Sequence, residues 1–401
     1  MSSASATELL RAVFYVTAGL LLYAWLIYPM VLAILPARRG KTNRDSDKTP
    51  EPFPSVSIIV AAYNEAGVIE AKIRRFLADN YPGISEMLIV SDGSTDGTVE
   101  IASRFTGDRV RLLAESIHRG KGTALARAVP RARGEILVFT DATSVFAPQA
   151  LTELVRPFAD QRVGLVTGKV RVEGSAIAGL YRRYEEAIEH FEELGGVIST
   201  AHGCVYAMRR SLWCQHDPRL TNDFFHPILV NLRGFDVAVS RDAVCTEDYS
   251  PDPKIQFRRQ SRMVALASFV YFKYLPVLVC ARKWRSLFIL TSHKLMRWLT
   301  VPCLALLAIA TVCLAGDGMI YRAALGGEVF FISMVIAGAL VEHFGARSRL
   351  NRLTFVTEFV TLNWAGTLGL WEFFRGQLPI TWETTTAPIH AAASATPEQA
   401  A

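Results

Sequence analysis

Ile136-Leu137-Val138-Phe139-Thr140-Asp141-Ala142-Thr143 is an uncharged, mostly apolar run that stops abruptly at a carboxylate. A run of this length and composition suits a parallel strand buried on both faces, with Asp141 at its carboxyl end. In open α/β sheets ligands bind beyond the carboxyl ends of the strands, so Asp141 marks a site. Working outward, residues 55–61 form a similar strand that ends in Ala61-Ala62-Tyr63-Asn64-Glu65, and 87–90 another that ends in Ser91-Asp92. Further strands are expected at 110–113 and 164–170, with helices at 64–79, 121–132 and 180–194. Strands alternating with helices predict an α/β, doubly wound, mostly parallel sheet.

Composition sets the frame around that sheet. Of 401 residues 51% are hydrophobic and 20% charged, a balance that suits a soluble domain joined to membrane spans. Much of the net charge of +6 sits beside apolar runs, at Arg38-Arg39-Gly40-Lys41, Arg282-Lys283-Trp284-Arg285 and 347–352. Such clusters read as cytoplasmic anchors rather than as a nucleic-acid surface. The six cysteines show no paired short spacing, which argues against a disulfide framework or a zinc site.

Residues 12–36 carry no charge, enough helix to cross an apolar core of about 30 Å. A cleaved signal peptide is the competing reading; the run is long for one and no small-residue cleavage site precedes Arg38. The expected organisation is a transmembrane helix over 1–37, a linker over 38–53 and a cytoplasmic catalytic domain over 54–262. After it come amphipathic interface helices over 263–297, broken by Lys273 and Pro276, and three spans over 298–375. The clearest is 298–316; 328–344 and 354–374 each carry two glutamates, of which Glu358 is a candidate for a polar path. A polar tail, 376–401, contains Trp382.

The strand ends supply the candidate site. Small residues at Ala61 and Ala62 allow a ligand close to the backbone, and Asn64 is placed to cap the following helix. Asp92 in Asp-Gly-Ser-Thr-Asp-Gly would pass for a plain turn in isolation; three polar strand ends on one edge argue otherwise. No Gly-x-Gly-x-x-Gly follows the first strand. Arg119-Gly120-Lys121-Gly122-Thr123 lacks the upstream glycine of a phosphate loop, with Glu115 in its place, so Lys121 is read as a lone cation for a phosphate.

The segments 54–65, Val90-Ser91-Asp92-Gly93-Ser94-Thr95-Asp96-Gly97 and Phe139-Thr140-Asp141-Ala142 together resemble the family 2 glycosyltransferases of the GT-A type. The membrane-flanked layout is similar to the cellulose, hyaluronan and poly-N-acetylglucosamine synthase branch. The resemblance runs over about 50–380 and is most specific over 54–145. It implies a nucleotide-sugar donor, usually a UDP-sugar, with Mg²⁺ or Mn²⁺. By this resemblance Ala61, Tyr63, Glu65, Asp92, Lys121 and Asp141 bind the donor. Asp141 approaches the metal, and Thr143, where the family has its second acid, is a weaker candidate ligand.

The family's catalytic base follows in a Thr-Glu-Asp motif, which Thr246-Glu247-Asp248 spells letter for letter. Thr221-Asn222-Asp223 differs by one letter, yet Arg259 of Arg259-Gln260-Ser261-Arg262-Met263 lies 36 residues after Asp223, the family's spacing, and only 11 after Asp248. Asp223 is therefore assigned as the base, Glu247 and Asp248 as surface turn residues, and His202 as structural. Arg259, Gln260 and Arg262 are assigned to the acceptor or the diphosphate. Met263 replaces the tryptophan that stacks near the acceptor in processive relatives.

The function expected is inverting transfer of a sugar onto a growing polysaccharide by a multi-pass enzyme of the cell membrane. The alternatives are addition of one sugar to a lipid-linked acceptor, or a non-catalytic nucleotide-sugar-binding scaffold. Four spans are few for a wide export channel, which leaves room for a homo-oligomer or an export partner.

Overall fold

The computed structural model describes residues 3–35, 50–172, 178–247, 252–343, 351–379 and 381. Most of the linker, Asp248, the 347–350 part of the third basic cluster and Trp382 lie outside the described residues. In chain order come α1 (Ser3–Leu22), a π-helical turn (Tyr23–Ile27), α2 (Tyr28–Ile34), β1 (Val56–Ala62), α3 (Ile69–Leu77), β2 (Ser85–Asp92), α4 (Thr98–Ser103) and β3 (Val110–Glu115). Then follow α5 (Lys121–Ala128), β4 (Ile136–Asp141), β5 (Val145–Phe146), α6 (Ala150–Val155), β6 (Val163–Val172), α7 (Ala178–Leu194), β7 (Tyr206–Arg209), α8 (Asn222–Leu232) and β8 (Asp236–Glu247). The remainder is helical: α9 (Pro253–Cys280), α10 (Trp284–Ile289), a π-helical stretch (Leu290–Leu295), α11 (Met296–Trp298), α12 (Thr300–Leu314), α13 (Met319–His343) and α14 (Asn351–Phe374).

The chain divides into two compact units. The first comprises Met1–Ala37, Ser175–Gly195 and Gln256–Leu378, and is helical. The second holds an eight-stranded sheet in the order β3-β2-β1-β4-β7-β6-β8-β5. Its first four strands are parallel, and every residue of β1 and β2 is buried, as near-continuous apolar runs require. Two core layers line the sheet, one around Ile58, Ile73 and Val138 and the other around Ile59, Leu125 and Phe139. β7 then runs antiparallel to both β4 and β6, while β6 and β8 pair in parallel. Because β1, β2 and β4 are parallel, with Ala61 beside Asp141 and Ala62 beside Ser91, their polar tips share one edge.

Two local expectations are corrected here. Asn64 caps no helix: it adopts a positive φ of 54°, and α3 begins only at Ile69. Its side-chain oxygen instead accepts the Thr95 N–H at 2.8 Å, and the Glu65 and Ala66 N–H groups donate to Thr98 and Asp96, tying the β1 tip to the β2 tip. Glu247 is not a turn residue but closes β8, paired with Val172.

Among the described residues three helices are long and apolar enough to cross a membrane: Ser5–Ile34, Lys254–Cys280 and Met319–Val341. Of the stretch expected as broken interface helices over 263–297, 263–280 belongs to one helix, α9, which passes through Pro276 and rests the Lys273 ammonium 5.2 Å from the centre of the Phe269 ring. The span expected over 298–316 begins at a bend, where Trp284–Trp298 and Thr300–Leu314 meet at 56°. Pro302 explains the bend, since it has no N–H to give the Trp298 carbonyl; the Thr367 hydroxyl donates to that carbonyl instead, at 3.1 Å. Next to both π-helical stretches, His293 bridges Glu192 (2.5 Å) and Glu185 (3.0 Å), Arg297 pairs with Glu185, and the Tyr28 hydroxyl donates to Glu192. These contacts fasten α7 into the helical unit.

Candidate active site

The sheet edge brings three functional side chains within electrostatic reach of one another. Asp141, at the end of β4, accepts a hydrogen bond from the Lys121 ammonium at the first residue of α5. Burial alone would lower the Lys121 pKa, but Asp141 and Asp223 outweigh it and hold the group above the ordinary lysine value. Asp223 sits in the first turn of α8. The same two carboxylates reach the buried Tyr206, whose pKa burial raises first and their charge raises further.

The chain approaches itself closely to achieve this. A Cβ on Gly122 would lie 2.3 Å from the Pro218 carbonyl oxygen, so only glycine lets α5 meet the segment that leads into α8. Gly203 plays the matching part, since a Cβ there would stand 3.2 Å from Asp223 Oδ2. Asp223 Oδ1 accepts from the Thr221 hydroxyl and from the Phe224 N–H (3.0 Å), which fixes the carboxylate and leaves Oδ2 toward Gly203.

Asp92 is placed differently from Asp141. It is 1% exposed, and its oxygens accept from the Arg119 N–H (3.1 Å), the Gly120 N–H (2.7 Å) and His118 Nδ1 (2.8 Å). Its direct work is to hold the 118–120 loop that delivers Lys121. The His118 ring in turn stacks on Tyr63, with centroids 3.7 Å apart and planes 11° apart. His118 escaped the sequence reading because a lone histidine beside a basic loop has no distinctive spacing.

Glu65 lies near Asp141 and Asp96; burial, then their charge, raises its carboxyl from 4.5 to about 7. The folded chain therefore keeps a proton that the unfolded chain releases between pH 4.5 and about 7, and stability falls as pH rises through that window. Glu65→Gln is expected to flatten this fall, melting with the parent at pH 4 and above it at pH 8 in a series of thermal scans.

Arg259, Gln260 and Arg262 stand on α9, in the helical rather than the sheet unit. Among the described residues no group of three His, Cys, Asp or Glu side chains is placed to hold a metal ion. The donors at the β4 tip are the Asp141 carboxylate and the Thr143 hydroxyl, both hard oxygen. They fit a Mg²⁺- or Mn²⁺-type ion that takes most of its ligands from phosphate and water.

A mixed sheet with a parallel half and acidic tips gathered on one edge is the arrangement of the GT-A fold. Residues 57–214 match the family profile described as Glycosyl transferase family 2. It is 29% identical over 164 residues to a poly-beta-1,6-N-acetyl-D-glucosamine synthase of Staphylococcus epidermidis, covering 39% of this chain and 40% of that one. Against the enzyme of that name from Staphylococcus aureus strain MSSA476 it is 24% identical over 235 residues, covering 55% and 56%. The matches thus span about half of these relatives or less. A mannosyltransferase from Pyrobaculum calidifontis, solved with GDP-Man and Mn²⁺, superposes with a TM-score of 0.62 at 22% identity, over 89% of this chain and 98% of that one. At that identity the likeness speaks for the fold.

Proposed function

We propose that this glycosyltransferase is a membrane-bound inverting enzyme that moves sugars from a nucleotide-sugar, a UDP-sugar before others, onto a growing polysaccharide. The convergence of Lys121, Asp141 and Asp223 at the sheet edge carries this reading. Departure of a nucleoside diphosphate concentrates negative charge on its oxygens, and Lys121 is a fixed cation for it. A divalent ion bound at Asp141, with Thr143 beside it, would supply further neutralisation of that charge. Asp223 takes the proton of the acceptor hydroxyl on the side opposite the leaving group, so a single displacement inverts the sugar carbon. The Tyr63–His118 ring pair suits a nucleobase face, Ala61 leaves room beside the backbone, and Asp92 holds the loop beneath. Arg259, Gln260 and Arg262 are assigned to the acceptor or the diphosphate.

The names of the staphylococcal relatives support a glycan acceptor. The apolar helices and the basic clusters beside them support a multi-pass protein of the cell membrane with its sheet unit in the cytoplasm. One-sugar transfer to a lipid-linked acceptor is the second reading, favoured by Met263 in place of the stacking tryptophan. Purified protein is incubated with a panel of UDP- and GDP-sugars, Mn²⁺ and either oligosaccharide or lipid phosphate. Long product supports the first reading and a single addition the second; no transfer from any donor would overturn both.

A further inference from the structure

Lys72 occupies a core position. The buried face of α3 is Ile69, Lys72, Ile73 and Phe76, the spacing of an amphipathic helix with a lysine where an aliphatic residue belongs. Its side chain passes beneath the β4 tip, and its ammonium finds three acceptors there: Thr140 Oγ1 at 2.9 Å, the Ser144 carbonyl at 2.7 Å and Ser144 Oγ at 3.1 Å. Three acceptors match the three protons of an ammonium. The Phe146 ring completes the cage, its centroid 5.0 Å from Nζ.

The two side chains that Lys72 grips are themselves joined to the turn that carries Asp141. Thr140 precedes Asp141, and its hydroxyl lies 2.7 Å from Ser144 Oγ. Ser144 Oγ donates to the Asp141 carbonyl at 2.8 Å, closing the turn. Both residues are buried, Thr140 at 2% and Ser144 at 0% exposed. An ammonium buried on neutral oxygens costs more than a methionine of similar length would. Burial lowers its pKa to about 8, only partly opposed by the neighbouring Cys245 and Asp141.

We propose that Lys72 is a positioning residue for sugar transfer: from inside the core it fixes the turn that aims Asp141 at the donor's diphosphate. The tip needs such support because Asp141 is the one carboxylate in the turn from Thr140 to Phe146. The inference rests on the proposed role of Asp141, and the test separates the two.

Full-length protein in detergent is compared with Lys72→Met, which keeps the volume and removes the charge. Hydrogen exchange is read on peptides covering 141–146 and, as a control, on β1. The expected result is exchange about tenfold faster or more over 141–146, the scale of a lost charged hydrogen-bond cluster, with β1 unchanged. In the same samples the apparent Kd for Mn²⁺ in the presence of UDP, or of GDP, is expected to rise about tenfold, while saturating Mn²⁺ restores nucleotide binding. Ser144→Ala leaves Lys72 in place and removes one acceptor, giving a smaller change in the same peptides should the methionine variant fold poorly. Unchanged exchange over 141–146 in a folded variant, or faster exchange with unchanged Mn²⁺ affinity, would overturn the role given to Lys72. Failure of the parent to bind Mn²⁺ with either nucleotide would instead overturn the role of Asp141, and the exchange data would still decide whether Lys72 holds the turn.

Discussion

Asp223→Asn is expected to lower turnover by about a hundred- to ten-thousandfold while nucleotide binding stays at the parent level. The substitution keeps the size of the side chain, and an amide oxygen can still accept from the Thr221 hydroxyl and the Phe224 N–H that hold Oδ1 in the parent. What it removes is the basic oxygen on the Gly203 side, the atom proposed above to receive the acceptor's proton. Because the base acts only on the acceptor, the loss falls on kcat with the donor's KM little changed. The measurement is steady-state transfer with varied donor, paired with equilibrium binding of UDP. Gly203→Ala gives a milder version: a Cβ 3.2 Å from Oδ2 crowds the position the hydroxyl must take. An Asp223→Asn enzyme that turns over at the parent rate would remove Asp223 as the base.

How much of this was legible in the letters depends on how local the cause is. β1, β2 and β4 are uncharged or nearly uncharged runs that end in polar residues, and their parallel pairing follows from the helices between them. Asp141 and Lys121 are legible from residue type and position, Asp223 only through the family resemblance, and the fold places both carboxylates within electrostatic reach of Lys121. The order of β5 to β8 was not readable, because antiparallel and parallel partners alternate across segments far apart in sequence. Asn64 was misread as a cap because its positive φ is set by Thr95, some thirty residues on. Lys72 was invisible for the opposite reason: a lysine among Ile69, Ile73 and Phe76 passes for a solvated neighbour of an apolar stripe until its three acceptors are in place. The bend after Trp298 depends on Pro302 together with a hydroxyl from α14, a pairing that no local window contains.

Asp141→Asn is expected to cost about a hundred- to thousandfold in kcat/KM, through a different step from Asp223→Asn. Here the donor's affinity and the Mn²⁺ response should fall together, because the carboxylate is the firm hard-oxygen anchor at the β4 tip. A second effect follows from the Lys121 pair. In the parent, Asp141 is the largest of the charges that keep the part-buried ammonium protonated against its desolvation. With an amide there, burial weighs more heavily and the Lys121 pKa falls, so the alkaline limb of the pH–rate profile moves to lower pH. Thr143→Ala, by contrast, should change Mn²⁺ half-saturation by less than Asp141→Asn does. The two aspartate variants thus separate in one table of constants: Asp223→Asn loses kcat at constant donor affinity, and Asp141→Asn loses affinity, metal response and alkaline tolerance together. If Asp141→Asn kept the Mn²⁺ response and the donor affinity of the parent, the diphosphate would have to be held elsewhere on the sheet edge, and the pairing of Lys121 with Asp141 would be a fold contact alone.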